Sequence, residues 1–274
     1  MATLTLVATP IGNLGDLAPR AVEALAGAAL VCCEDTRRTG RLLQHAGIGG
    51  ARLLRVDEHT EVSAAAKVLD VLDRGGDVAV VTDAGTPGIS DPGERLVRAV
   101  LDAGYEVSAV PGPAALVMAL VLSGLPSARF VFEGFLARSG RERADRLRAV
   151  AGETRTVVLY EAPHRLARTL ADLAEVCGPS RRVAVCRELT KLHEEVWRGT
   201  LAEAIARAGE RDPIGEHVLV LEGAPPAPPV DDDAINDALR AALGAGCSKR
   251  DAAAQVAAAL GVPKRRAYDL ALRL

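Results

Sequence analysis

Residues 78–93 read VAVVTDAGTPGISDPG, and this stretch decides the fold. The run Val78 to Val81 is apolar without alternation, as in a parallel strand covered on both faces. It passes into Thr82 and Asp83, then into a loop carrying Gly85, Gly88 and Gly93 with Pro87 and Pro92 between them. An ordinary strand-to-helix connection needs only a few turn residues. The twelve here, with three Gly, two Pro and two Asp, exceed that need. They point to a ligand loop just beyond the carboxyl end of the strand. Glycine lets backbone approach a ligand with positive φ, and proline removes slack.

Outward from this stretch, strands alternate with helices. Thr3 to Ala8 reads as a strand, Pro10 to Gly12 as a loop, Ala18 to Ala26 as a helix and Ala29 to Cys33 as a second strand. Asp35 or Thr36 caps the helix that follows, and Ser63 caps another reaching Asp73 after a third strand, Arg52 to Val56. Beyond the ligand loop come a helix from Gly93 to Ala103, a strand from Tyr105 to Val110, and an apolar helix with Pro113 as its first residue. This alternation predicts a mainly parallel α/β sheet.

After SGLPSA (123–128) the texture changes. Strands are expected at Phe130 to Leu136, Val157 to Tyr160, Val183 to Arg187, Glu194 to Gly199 and Val218 to Leu221. The short spacing around Trp197 and Val218 leaves no room for two crossover helices, so this second sheet is expected to be mixed. APPAPP (224–229) reads as a stiff linker. Three short helices follow, with Ser248 and the Gly261–Val262–Pro263 break suggesting helix-turn-helix geometry. The expected organisation is therefore two α/β domains, 1–123 and 124–223, a linker at 224–230 and a helical tail at 231–274.

Composition narrows the function classes. The chain has 274 residues, 49% hydrophobic and 25% charged, an ordinary globular balance. The apolar run Ala114 to Leu122 is far too short to span a membrane, and the amino terminus lacks a basic n-region. Five cysteines without a C-x-x-C point to reduced thiols in a cytoplasm, and five dispersed histidines argue against a metal site. A net charge of −3 predicts no nucleic-acid affinity by itself. Basic clusters read either as a phosphate-binding footprint or as solvated helix faces: Arg37, Arg38 and Arg41; Arg138, Arg141, Arg143, Arg146 and Arg148; and Lys264, Arg265 and Arg266, which open the last helix. Aromatics at 3% leave charge and shape, rather than stacking, as the basis of any nucleic-acid binding.

Six further segments complete a pattern: LTLVATPIGNLGDL (4–17), CEDTR (33–37), AVPGPAALVMAL (109–120), VVLYEAPHR (157–165), RELTKLHEE (187–195) and GEHVLVLEG (215–223). With TDAGTPGISDPG they resemble the tetrapyrrole methylase superfamily, most closely its ribosomal RNA branch. The resemblance implies S-adenosylmethionine as methyl donor, bound in a cleft between the two α/β domains. By position it assigns donor contacts to Pro10, Ile11, Asp83, Gly85, Thr86, Ala114, Ala115, Tyr160, Arg187 and His217. It also implies transfer to the 2′-oxygen of a cytidine in 16S rRNA, within the small ribosomal subunit, by a cytoplasmic homodimer with no membrane partner. Ala114 stands where that branch usually has serine, and GFLARSGRER (134–143) replaces a GFLP segment followed by lysine.

Methyl transfer requires alignment of nucleophile, methyl and sulfur, and a weakly acidic ribose hydroxyl is helped by a proton acceptor. Glu34, Asp35, Glu161 and Glu188 are the catalytic candidates, with Asp57 and His59 beside them; each follows a predicted strand. Structural roles compete: Glu34 or Asp35 pairing with Arg37, Asp35 capping a helix, Glu161 holding His164 or Arg165. Arg37, His164 and Arg165 suit phosphate or ribose, as do Lys264, Arg265 and Arg266 on the tail. Two other functions stay open. A carbon methyltransferase of tetrapyrrole biosynthesis is expected to carry V-G-x-G-P-G and G-D-P loops, where this chain has VATPIGN and TDAGTP. A donor-sensing regulator would bind DNA with its tail and do no chemistry.

Overall fold

Five strands, β1 (Thr3–Val7), β2 (Leu30–Cys33), β3 (Leu53–Arg55), β4 (Val78–Val80) and β5 (Glu106–Val110), form one parallel sheet in the order β3-β2-β4-β1-β5. The computed structural model describes residues 2–57, 60–210, 213–225 and 230–274. Alternate strand residues face opposite layers. Val31, Cys33, Ala79 and Val81 pack with α1 (Pro19–Gly27) and α2 (Thr36–His45). Leu30, Cys32, Val78 and Val80 pack with α3 (Glu61–Asp73) and α4 (Glu94–Asp102). Cover on both faces is why these strands read as unbroken apolar runs. Each fully buried leucine, such as Leu4, Leu25 or Leu96, contributes roughly 1.5–3 kcal/mol.

Neighbours β1 and β4 send the chain in opposite directions, β1 toward β2 and β4 toward β5. Right-handed crossovers then put α1 and α4 on opposite faces. The crevice at the carboxyl ends of β1 and β4 is thus the switch point, where such sheets bind ligands.

The second sheet holds β6 (Phe130–Phe135), β7 (Thr156–Glu161), β8 (Arg182–Arg187), β9 (Glu195–Thr200) and β10 (His217–Leu221), in the order β6-β7-β10-β8-β9. It is mixed, as expected: β6 and β7 are parallel, and every other pair is antiparallel. The reason is not crowding, since helix α8 (Leu201–Glu210) fits between β9 and β10. The mixture arises because β10 inserts between β7 and β8 instead of pairing with β9. Helices α6 (Gly140–Gly152), α7 (Leu166–Cys177) and α8 cover one face through Leu147, Leu170 and Leu201. The other face is covered by α5 (Ala115–Ser123), whose Leu116, Ala119 and Leu120 pack on Val158, Ala184, Cys186, Val218 and Val220. Helix α5 therefore follows the first sheet in the chain and belongs by its core to the second. Its Val117, Met118 and Val121 are exposed.

Two helix starts differ from the sequence reading. Helix α3 begins at Glu61, with Thr60 as its cap and the Asp57 carboxylate accepting the Thr60 N–H at 2.9 Å. Ser63 lies inside the first turn, donating its hydroxyl to the Thr60 carbonyl. Pro113 precedes the cap of α5 rather than opening the helix, since Ala114 is extended (φ −141°, ψ 119°).

The chain divides into two units, Met1–Ala224 and Pro225–Leu274. The second is a bundle of α9 (Asp232–Gly244), α10 (Lys249–Leu260) and α11 (Lys264–Ala271) around Ile235, Leu239, Val256, Ala267 and Leu270. Asp231 and Ser248 cap α9 and α10 by accepting the Ala234 and Asp251 N–H groups, and Gly261 at φ +65° ends α10. The proline run 226–229 and His59 lie outside the described residues. No helix among the described residues is long and apolar enough to cross a membrane.

Candidate active site

At the switch point the loops after β1 and β4 are tied together. The Thr9 N–H donates to the Gly85 carbonyl at 2.8 Å, and the Gly85 N–H donates to the Thr9 carbonyl at 3.1 Å. Gly85 sits at φ +90°, and a Cβ there would lie 3.4 Å from Ile11 Cγ2. Glycine is needed for the backbone turn and for the close approach. Facing these loops are the ends of β7 and β10, which leave a cavity of about 370 Å³. Ile11, Asp83, Gly85, Thr86, Ala114 and Ala115 line it from one side, Tyr160 and His217 from the other. The Tyr160 hydroxyl accepts the Leu116 N–H at 3.2 Å, which leaves its own proton for a partner in the cavity. Burial lowers the His217 pKa, and Nδ1 lies 3.0 Å from the Gly215 carbonyl. A carbonyl partner requires Nδ1 to be the donor, so Nε2 is the free acceptor.

Two of the ten expected donor contacts are elsewhere. Pro10 is buried and does not line the cavity. Arg187 lines a smaller cavity with Glu195, Trp197, Arg207 and His217, and His217 borders both cavities. Strand alternation explains it: Val183 and Val185 face α7 and α8, Ala184 and Cys186 face α5, and Arg187 follows the first set.

The same rule separates the carboxylates. Glu161 alternates with Tyr160 and points to α7. It is 2% exposed, with one oxygen accepting the Ala162 N–H at 2.9 Å and lying 3.2 Å from Arg165, and the other accepting the Thr169 hydroxyl at 2.5 Å. It anchors the 3-10 turn at Pro163–Arg165 instead of serving as a free base. Glu188, at φ +50°, accepts the Glu216 N–H and the Lys191 ammonium with the same oxygen and pins two loops together. Asp35 caps α2 and is held by the Arg37 guanidinium, which keeps its carboxyl far below the usual range. Among the four expected bases, only Glu34 lines the cavity without a structural task; burial, then Asp83, raises its pKa.

Sequence reasoning missed Asp91. It lines the cavity, and burial pushes its carboxyl to about 6, with Glu34 and Asp83 adding to the rise. The buried Thr82 hydroxyl lies beside both Glu34 and Asp91 but makes no hydrogen bond of ordinary geometry among the described residues. Asp83 is anchored, accepting the Asp35 N–H at 3.2 Å and facing Arg38 at 3.3 Å. The only signal for Asp91 was an acid inside an overlong Gly/Pro loop.

The basic residues fare unevenly. The five-arginine cluster splits: Arg143 is buried against Asp172 and Arg146 binds Glu133, while Arg138, Arg141 and Arg148 are exposed, the last two beside Asp145. Arg165 is tied to Glu161 and the Leu136 carbonyl, so it builds the turn rather than facing solvent. Arg266 is paired with Asp232, and Arg265 lies 4.0 Å from Asp269. Arg37, Arg38, His164 and Lys264 are exposed, and Arg38 also lines the cavity.

The cavity suits S-adenosylmethionine. Its volume falls within the range of small-molecule sites. Ile11, Ala114, Ala115 and Val218 offer an apolar wall to adenine, and Glu34, Asp83 and Asp91 offer negative charge to a sulfonium and an ammonium. Among the described residues, no cluster of His, Cys, Asp and Glu is arranged to hold a metal.

A two-sheet α/β unit with a switch-point cavity closed by a mixed sheet is the architecture of a methylase. Residues 3–205 match the family model of tetrapyrrole (corrin/porphyrin) methylases, and the chain belongs to that family. Residues 229–274 match the RsmI C-terminal HTH domain. Over 100% of this chain and 99% of its own length, ribosomal RNA small subunit methyltransferase I of Synechocystis sp. is 48% identical. The protein of that name in Escherichia coli O157:H7 is 44% identical over 98% of this chain and 94% of its own. Among solved structures, the methyltransferase CobJ superposes with a TM-score of 0.63 at 23% identity, covering 82% of this chain and 95% of its own. Uroporphyrin-III C-methyl transferase from Thermus thermophilus, complexed with S-adenyl homocysteine, gives 0.57 at 19%, covering 81% and 97%. Those two likenesses concern the fold.

Proposed function

We propose that this protein transfers a methyl group from S-adenosylmethionine to RNA of the small ribosomal subunit, at the 2′-oxygen of a cytidine in 16S rRNA. Similarity along the whole chain to proteins named ribosomal RNA small subunit methyltransferase I carries the reading. The cavity's chemistry supports it.

Ile11, Gly85, Thr86, Ala114 and Ala115 present backbone and small apolar groups to the adenosine. Asp83 is fixed in place to face the donor's positive charge, and Tyr160 and His217 close the site from the second sheet. Once bound, S-adenosylmethionine supplies an electrophilic methyl group on a sulfonium. What remains for the protein is alignment of the ribose oxygen with that methyl, exclusion of water and removal of one proton. Exposed Arg37, Arg38 and His164 meet phosphate near the cavity mouth, and Lys264 and Arg265 add contacts from the tail. In this reading residues 1–123 carry the donor loops, 124–223 close the cleft, 224–230 link and 231–274 hold RNA. The exposed Val117, Met118 and Val121 on α5 support a homodimer, and the place of work is the cytoplasm.

The test is transfer of a labelled methyl group to undermethylated small subunits, with free 16S RNA and a reduced tetrapyrrole in parallel, followed by nuclease digestion. Label on a cytidine 2′-oxygen is expected. Label on the tetrapyrrole alone, or none with donor bound, overturns the reading.

A further inference from the structure

Of the five carboxylates on the cavity wall, Glu161 and Glu216 are paired with Arg165 and Lys191, and the other three each lie in a different situation. Asp83 is already engaged by the Asp35 N–H and by Arg38. Glu34 shares the Arg38 side of the cavity, and that guanidinium opposes the rise in its pKa. For Asp91, burial is the main cause of the rise, with Glu34 and Asp83 adding to it and the Thr82 hydroxyl opposing it. Across the cavity it faces Tyr160, whose pKa it raises. Asp91 thus shares the cavity with Glu34 and Asp83, from the loops after β2 and β4, and with Tyr160 of β7, together with Arg38, Glu161 and His217.

Its backbone is held from both sides. Ser90 sits at φ +60°, a strained setting for a residue with a side chain, and its hydroxyl oxygen lies within 3.1 Å of where a Cβ on Gly134 would be. Glycine at 134, at the bulge between Phe132 and Gly134, is what lets the loop come this close to β6. On the far side, the buried Glu61 carboxylate accepts the Gly93 and Leu96 N–H groups at 3.0 and 2.9 Å. Asp91 thus lies between a residue that approaches β6 closely and a glycine tied to Glu61.

Building on the rRNA reading above, we propose that Asp91 is the catalytic residue that takes the proton from the attacking ribose hydroxyl. The O–H bond breaks and its proton passes to an Asp91 carboxylate oxygen. The electron pair left on the ribose oxygen forms the bond to the methyl carbon. The methyl–sulfur bond breaks with its pair staying on sulfur, giving a methyl ether, neutral S-adenosylhomocysteine and a protonated Asp91. Tyr160 steadies the incoming oxygen by donating its free hydroxyl proton. A carboxyl near 6 is half-ionised just below neutral pH and so is poised to accept at working pH.

The experiment compares wild type with Asp91→Asn in single-turnover transfer across pH 5–9, with donor affinity and melting temperature measured alongside. Wild type should rise tenfold per pH unit below about 6 and then level off. Asp91→Asn should lose ~10²–10⁴-fold in rate and lose that rise, with donor affinity intact. Carbon-13 titration of the aspartate carboxyls gives a readout without turnover: a resonance missing from Asp91→Asn should titrate near 6 in the protein alone. Should Asn impair folding, Asp91→Glu replaces it, with the rise in rate retained at reduced rate. An unchanged pH profile in Asp91→Asn, a loss confined to donor affinity, or titration of Asp91 near 4 overturns this inference alone. Wild-type label on anything but a ribose oxygen overturns the rRNA reading first, and this inference with it.

Discussion

Replacing Glu161 with alanine separates a structural acid from a catalytic one. The side chain is 1% exposed and holds three groups: the Ala162 N–H, the Thr169 hydroxyl and the Arg165 guanidinium. Hydrogen bonds to a charged acceptor contribute ~1.5–3 kcal/mol each. Breaking a buried ion pair from one side costs ~3–5 kcal/mol, a sum that already includes those bonds. We expect a loss of roughly 3–5 kcal/mol, because Arg165 and Thr169 are left buried without their acceptor. For a unit of this size each kcal/mol lowers the midpoint by about 2–4 °C, so calorimetry should register a fall of about 6–20 °C. Well below the new midpoint, methyl transfer should stay within about tenfold of wild type, whereas loss of a general base costs ~10²–10⁴-fold. A midpoint unchanged within error, with transfer down a hundredfold at saturating donor and RNA, would refute the structural assignment.

Other outcomes follow from the same geometry. Arg187→Ala should leave donor affinity measured by calorimetry unchanged, since the side chain faces α7 and α8; a large loss would return it to the donor site. Gly85→Ala forces a side chain into φ +90° beside Ile11, at a cost of roughly 1–2 kcal/mol, and should weaken donor binding about tenfold. Joint replacement of Lys264 and Arg265 by alanine should raise KM for RNA and flatten its salt dependence, while Arg266→Ala should instead loosen the tail by freeing Asp232. Asp91→Asn has a stability signature of its own. Below pH ~4 the carboxyl is protonated in folded and unfolded chains alike, and between about 4 and 6 the unfolded chain ionises first, so wild-type stability falls as pH rises. The variant escapes that fall and should be about 1–2 kcal/mol more stable than wild type at pH 8, and no more stable at pH 4, by urea unfolding.

Much of this was legible in the chain because period and punctuation are local. The strands fell within a residue or two of the expected ranges, since unbroken Val/Ile/Leu runs and flanking glycines mark them. Asp35, Ser248 and Gly261 were found at helix ends for the same reason: a cap acts on its own next turn. What escaped was set by neighbours distant in sequence. Arg143 is buried because Asp172, 29 residues on, faces it, and nothing within α6 records that. Asp91 owes its character to burial against Glu34 and Asp83, which a reading of its own loop cannot supply. Glu161 and Arg187 are a different case. The two-residue period of their strands puts both on the face of the second sheet that α7 and α8 cover, where Glu161 borders the cavity but is engaged by Arg165 and Thr169.

Helix α5 carries one more consequence, for how the cleft can open. The two sheets are joined by a single passage of chain, from β5 through α5 to β6. Because α5 is cemented to the second sheet by Leu116, Ala119 and Leu120, the segment after it, 124–129, travels with that sheet as well. Any rotation of one sheet against the other must be absorbed before the helix, at residues 111–114. That is the Pro-Gly-Pro-Ala stretch whose Ala114 lines the cavity. Such a rotation would therefore pass through the donor seat, and a molecule that fills the seat would resist it.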